Sequence, residues 1–194
     1  MTEIIKNTDL AVGAFLEGKI GVFPTDTVWG VGCVLRNEKA IKRLYKIKRR
    51  DFKKPTAVLV ASLKQAKKLG RFDKEAEELA RKYWPGGLTL IVAISPPGWK
   101  IFSPRRRFPS KIGLRIPNNK RLLKILGKTG PIMATSANFA GEHAPTKKNQ
   151  ISKKFLKEVD FLVEGEEPKQ AQASTVLDTT VKPFKILRQG SVIL

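Results

Sequence analysis

Apolar positions fall in two rhythms along this chain. Leu10, Ala11, Ala14 and Phe15 recur at helical spacing behind a capping Asn7 or Thr8 and ahead of Gly18, which predicts a short first helix. Ile20–Phe23 reads as a buried strand broken at Pro24, and Val28–Leu35 as a second extended run. Asn37 then caps a helix with Ala40, Ile41, Leu44, Tyr45 and Ile47 on one face. Thr56–Val60 is the next strand, and Ser62 caps the helix behind it. Asp73–Trp84 is amphipathic and ends at Pro85-Gly86-Gly87. Strands Leu88–Ile94 and Ile112–Ile116 enclose an irregular stretch, Ser95–Ser110, carrying Pro96, Pro97, Pro104 and Pro109. Asn118 starts a helix around Leu122, Leu123, Ile125 and Leu126, and Pro131–Ala134 is extended. Ser152–Val159 is a basic helix, followed by short strands at Phe161–Val163, Ser174–Asp178 and Phe184–Leu187. Strands and helices mix without strict alternation, which predicts an α+β fold with a mixed sheet. No repeat or linker divides the 194 residues, so one domain over 1–194 is expected.

Composition adds partners and compartment. Lys and Arg total 38 against 17 Asp and Glu, a formal +21 and a pI near 10.3. Such an excess points to an anionic partner, nucleic acid or nucleotide, although many of these lysines are explained equally well as solvated surface. No apolar stretch is long enough to span a bilayer and the start lacks a secretory pattern, so no membrane association is expected. The single Cys33 has no disulfide partner, which suits a reducing cytoplasm.

The residue inventory excludes several chemistries. There is no phosphate-binding P-loop and no dinucleotide glycine fingerprint. One His and one Cys leave almost no material for a zinc site or for Ser-His or Cys-His catalysis, and His143 sits in a polar loop as a plain surface residue would. Three polar segments, each following an element end, remain: Thr25-Asp26-Thr27, Lys48-Arg49-Arg50 and Ser136-Ala137-Asn138. In extended backbone, i and i+2 share a side, so each pair can address one ligand near the strand ends. Each also has a local explanation: a turn after a proline, a solvated basic helix face, and a cap.

The order of these segments carries a family resemblance. IGVFPTDTVWGVGC at Ile20–Cys33, Lys48-Arg49-Arg50 with Lys54-Pro55, and Trp84-Pro85-Gly86 with Leu88-Thr89 come first. Gly113-Leu114-Arg115-Ile116-Pro117, Ser136-Ala137-Asn138 with Gly141, Ser174-Thr175-Val176-Leu177-Asp178 and Arg188-Gln189-Gly190 complete seven ordered segments. Together they resemble the YrdC/TsaC family of threonylcarbamoyl-adenylate synthases. Departures are Trp29 for a frequent Tyr, Leu59 near a frequent His, Asp51 for a frequent Pro, and a glycine-poor stretch before Ser174. The chain resembles the short form of the family, without an additional C-terminal domain.

The resemblance implies a single YrdC/RibB-like domain, a twisted mixed sheet flanked by helices with a basic concave face. It implies a nucleotidyltransferase: L-threonine, bicarbonate and ATP give threonylcarbamoyl-AMP and pyrophosphate, for threonylcarbamoyladenosine in tRNA. Lys48 and Arg50 are then the catalytic pair on the triphosphate; Ser136, Asn138, Ser174 and Arg188 complete the ATP site; Thr25, Arg115 and Ser136 hold threonine. Mg²⁺ is expected through the phosphates, with no protein metal site. Proteins that transfer the threonylcarbamoyl group to tRNA are the expected downstream partners. The alternative is a non-catalytic module for double-stranded RNA or tRNA, encouraged by the charge.

Overall fold

The structure, a computed structural model, describes residues 2–49, 56–101 and 110–194. Along the chain run β1 (Glu3–Ile5), α1 (Thr8–Leu16), β2 (Gly21–Pro24), β3 (Trp29–Val34), α2 (Glu38–Ile47), β4 (Ala57–Leu59), α3 (Leu63–Leu69), β5 (Gly70–Arg71) and α4 (Lys74–Tyr83). Then follow β6 (Leu88–Ile94), α5 (Pro96–Ile101), β7 (Lys111–Arg115), α6 (Lys120–Thr129), β8 (Ile132–Ser136), α7 (Lys153–Leu156), β9 (Phe161–Val163), β10 (Thr175–Asp178) and β11 (Lys185–Arg188). Helix starts are set by side-chain caps. Asn7, Asn37, Ser62, Asp73, Asn119 and Ser152 each accept a first-turn backbone N–H.

All the strands join one mixed sheet in the order β1-β9-β2-β3-β8-β4-β7-β6-β10-β11, with β5 on β6. The pairs β1/β9, β2/β9, β4/β7 and β6/β10 are parallel and the others antiparallel. The expected mixed sheet flanked by helices is therefore present. Because strand side chains alternate, the sheet carries a core on each face. Val22, Val31, Cys33, Val58 and Met133 face α2, α3 and α4, whereas Phe23, Val34, Leu59 and Ile132 face α1 and α6. On that second face, Phe15 and Phe161 meet edge to face at 4.9 Å, both fully buried.

Some local expectations shift. β1 and β5 are too short to show a period in sequence, and exist because β9 and β6 offer them hydrogen bonds. The stretch after Ser95 is not wholly irregular: α5 occupies Pro96–Ile101, and 102–109 lie outside the described residues. Strand β8 runs two residues further than expected, to Ser136, because its partner β3 continues to Gly30.

Phe15 tests the second core directly. Phe15→Ala should cost about 3–5 kcal/mol, the range for emptying a buried aromatic site. The change is to be read as a lower urea midpoint with an unaltered slope; a loss below 1 kcal/mol would show that α1 does not hold this face.

Candidate functional site

Six adjacent strands of the sheet, β2, β3, β8, β4, β7 and β6, together with the turn after β2 and the β10–β11 hairpin, wall a cleft of about 380 Å³. That is within the size range of small-ligand sites. Its polar lining is largely hydroxyl: Thr25, Thr27, Thr56, Thr89, Thr135, Ser136 and Ser174. Among the described residues its only charged lining groups are the guanidiniums of Arg115 and Arg188.

Arg115 ends β7 and is held from three sides. Its Nε donates to the Gly86 carbonyl at 2.9 Å, one terminal nitrogen to Thr27 Oγ1 at 2.8 Å, and the other to Asp26 Oδ1 at 2.5 Å. The Arg115 and Asp26 side chains are each 7% exposed, so this is a buried ion pair. Burial pushes the guanidinium below its ordinary value, Asp26 pulls it back up, and the like charge of Arg188 adds to the depression. Guanidinium has five N–H donors, so the three bonds leave one N–H on each terminal nitrogen. A planar anion in the cleft is what such a pair of donors suits.

The turn that supplies Asp26 is built by Thr25. Its hydroxyl donates to the Val28 carbonyl at 2.7 Å and accepts from the Thr27 and Val28 amides at 3.1 and 3.2 Å. Thr25 lines the cleft, yet its hydroxyl is used locally, as the turn reading of this residue expects. Asp26 Oδ2 is buried without a hydrogen-bond partner among the described residues.

On the opposite wall, parallel pairing sets Val176 against Thr89, and the Thr89 and Ser174 hydroxyls meet at 2.8 Å. Arg188 reaches back from β11, its Nε to the Ser174 carbonyl at 2.9 Å and a terminal nitrogen to Ser174 Oγ at 3.0 Å. Gly190 allows this return. A Cβ there would lie 2.1 Å from the Ala173 carbonyl oxygen, so only glycine permits the two backbones to approach.

Lys48 and Asn138 differ from expectation. Lys48 is the C-cap of α2 in helical conformation and Arg49 is left-handed, φ 50°, so neither has the extended backbone assumed for the i, i+2 geometry. Lys48 is 3% exposed and does not line the cleft. It donates to the Ser136 carbonyl at 2.7 Å, to Asn138 Oδ1 at 3.0 Å and to the Asn138 carbonyl. The Asn138 amide nitrogen donates to the Glu142 carbonyl at 2.6 Å, and Asn138 is likewise absent from the lining. The chain bends between Ser136 and Asn138, whose amide bonds the Ser136 carbonyl at 3.0 Å, which separates two side chains expected to share a ligand. Arg50 lies outside the described residues. Of the expected set, the cleft thus brings together Thr25, Arg115, Ser136, Ser174 and Arg188.

Sequence reasoning missed Asp26, Thr27 and Thr89 as partners of that set. The Thr25-Asp26-Thr27 and Leu88-Thr89 segments contained the signal, but what they face depends on sheet order. Elsewhere, burial pushes the Cys33 thiol up to about 12, leaving no thiolate nucleophile, and His143 is exposed. Among the described residues no three His, Cys, Asp or Glu side chains cluster as metal ligands, and no helix is long and apolar enough to cross a membrane.

Comparison with known proteins follows the same lines. A threonylcarbamoyl-AMP synthase of Pyrococcus abyssi is 33% identical over 95% of this chain, which spans 54% of that protein. A putative threonylcarbamoyl-AMP synthase of Methanocaldococcus jannaschii is 32% identical over 91% of this chain, which spans 82% of it. The chain therefore spans only about half the length of the first relative. The crystal structure of P. abyssi Sua5 complexed with L-threonine superposes with a TM-score of 0.85 at 30% identity, covering 98% of this chain and 57% of that one. Residues 14–190 match the Sua5/YciO/YrdC family, described as Telomere recombination, and the chain belongs to that family.

Proposed function

We propose that this chain forms threonylcarbamoyl-AMP and pyrophosphate from L-threonine, bicarbonate and ATP, acting as one domain over 1–194. The observation that carries the proposal is the Arg115 guanidinium: fixed by Asp26, Thr27 and Gly86, it faces a hydroxyl-lined cleft with two N–H donors to offer. The naming of the relatives and the threonine bound by P. abyssi Sua5 support the choice of substrate. A non-catalytic RNA module would have no use for so neutral a lining.

In this reading Arg115 grips the threonine carboxylate, leaving the amine to add to the bicarbonate carbon, which loses water to give the carbamate. A carbamate oxygen attacks the α-phosphorus of ATP, the bond to the bridging oxygen breaks, and pyrophosphate leaves with the electron pair. Such a displacement needs alignment and charge neutralisation more than a covalent nucleophile. Arg188, with Ser174 behind it, neutralises phosphate charge from the opposite wall. Ser136 offers a hydroxyl to either substrate. Lys48, with Asn138, acts by holding the 136–138 bend, and Arg50 remains the candidate cation on the triphosphate. Mg²⁺ would be held by phosphate oxygens and water, since among the described residues no carboxylate lines the cleft. The product is an activated carbamoyl donor, for transfer to tRNA by downstream proteins in the cytoplasm.

Purified protein with Mg²⁺, ATP, bicarbonate and threonine should release pyrophosphate and yield threonylcarbamoyl-AMP by mass spectrometry. Release that persists without threonine, or no release at all, would refute the assignment. Arg115→Lys keeps a charge but loses the planar fork. It should raise the threonine KM at least about tenfold, the value of a lost charge-assisted bond, while the ATP KM moves by less than about threefold. Equal losses for both substrates would make Arg115 merely structural. Lys48→Met should lower Tm and kcat together, because buried carbonyls lose their donor. A raised ATP KM at unchanged Tm would instead mean that Lys48 touches phosphate.

A further inference from the structure

Among the described residues two glycines line the cleft, and their missing side chains serve different ends. A Cβ on Gly30 would lie 2.9 Å from Phe23 Cε2, so the packing of the buried Phe23 requires that glycine. Gly113, in the middle of β7, is not required in this way. Its φ is outside the left-handed region. A Cβ there would meet Thr89 Cγ2 at 3.4 Å, Ala57 Cα at 3.8 Å and Ile91 Cγ1 at 3.9 Å, which are ordinary contacts. Glycine inside a strand weakens it and alanine would fit, so the fold gains nothing from Gly113.

What the missing side chain leaves is a niche of one methyl, walled by three carbon atoms, over a half-buried glycine that faces the cleft. Strand pairing sets Ile91 of β6 directly opposite Gly113, and Ala57 of β4 stands on the other side. Thr89 turns its hydroxyl to Ser174 at 2.8 Å and presents its methyl to the niche. Gly113 and Arg115 are i and i+2 on β7, so both face the cleft, about 7 Å apart at ~3.3 Å per residue. That separation is comparable to the length of a small amino acid.

We propose that this niche takes the side-chain methyl of the amino acid whose carboxylate Arg115 holds, which makes Gly113 the residue that selects threonine over serine. The inference rests on the reading of the cleft as a threonine site and adds to it the position that reads the side chain. Serine lacks that methyl and leaves the niche unfilled. None of the three walling atoms donates or accepts a hydrogen bond, so a phosphate oxygen or the substrate's own hydroxyl would lose water there without gaining a partner. Ser136 and Ser174 offer hydroxyls to such groups elsewhere in the lining. One methyl in an apolar niche is worth about 10–200-fold in discrimination.

The test measures binding of threonine, serine and ATP to the full chain by calorimetry, with pyrophosphate release read separately. Gly113→Ala fills the niche from below. It should weaken threonine at least about tenfold and serine by less than about threefold. ATP affinity should not change, and Tm should hold or rise, because alanine restricts the unfolded chain. Thr89→Ser removes the wall methyl while keeping a hydroxyl for Ser174, and adds no bulk. It should lower the threonine-to-serine affinity ratio by about threefold, and it decides the matter if Gly113→Ala lowers Tm. Equal losses of threonine and serine would overturn the inference. So would a loss of ATP with threonine binding intact, or threonine bound as tightly by both variants as by the parent chain. Threonine-dependent pyrophosphate release by the parent chain would then leave the synthase reading standing. A preference for threonine that needs Gly113 and Thr89, without pyrophosphate release, would sink the synthase reading alone.

Discussion

The cleft depends on one buried ion pair. Asp26 and Arg115 lie far apart in sequence, on the turn after β2 and the end of β7, and neither strand is the other's neighbour in the sheet. Two ions out of water tolerate little misplacement, because each is costly without the other. The pair therefore acts as a gauge on the three strands between β2 and β7. β3, β8 and β4 must stack in their observed register for carboxylate and guanidinium to meet. Thr25 contributes by shaping the turn, and Gly86 by lending a carbonyl whose own amide is anchored to Ile116 at 2.9 Å.

How much of this was legible in the sequence follows from the range of the interactions involved. Helices announced themselves through local chemistry: Asn37 or Ser62 bonds an amide three residues on, so a cap is visible in a short window. One cap slipped by a residue, because Asn118 and Asn119 are equivalent on paper and only Asn119 bonds the Leu122 amide. Polar segments at element ends were legible as candidates, and five of the seven expected residues within the described chain do reach the cleft.

What could not be read was partnership. Lys48 looks like a phosphate ligand because a charged side chain after a helix ordinarily faces water. Its ammonium turns inward because β8 and the bend after it present three oxygens there, and nothing near Lys48 in sequence encodes them. Thr89 meets Ser174 only because β6 and β10 run parallel, a pairing made across many intervening residues. The overall charge was legible, but its distribution was not: the cleft lining has two arginines and no lysine among the described residues, while the outer face of α2 carries a continuous basic stripe.

The return of the chain at Gly190 bears on when a nascent chain gains a cleft. The Thr175 hydroxyl accepts from the Gly190 and Val192 amides and donates to the Val192 carbonyl at 2.6 Å, clipping the tail across β10. Arg188 stands in its wall only once that clip has closed. A ribosome-bound polypeptide can lay down β2, β3, β8, β4 and β7 while β11 is still in the exit tunnel. Such a particle has the Arg115 wall and lacks the opposite one, so it has no complete cleft until synthesis has passed β11.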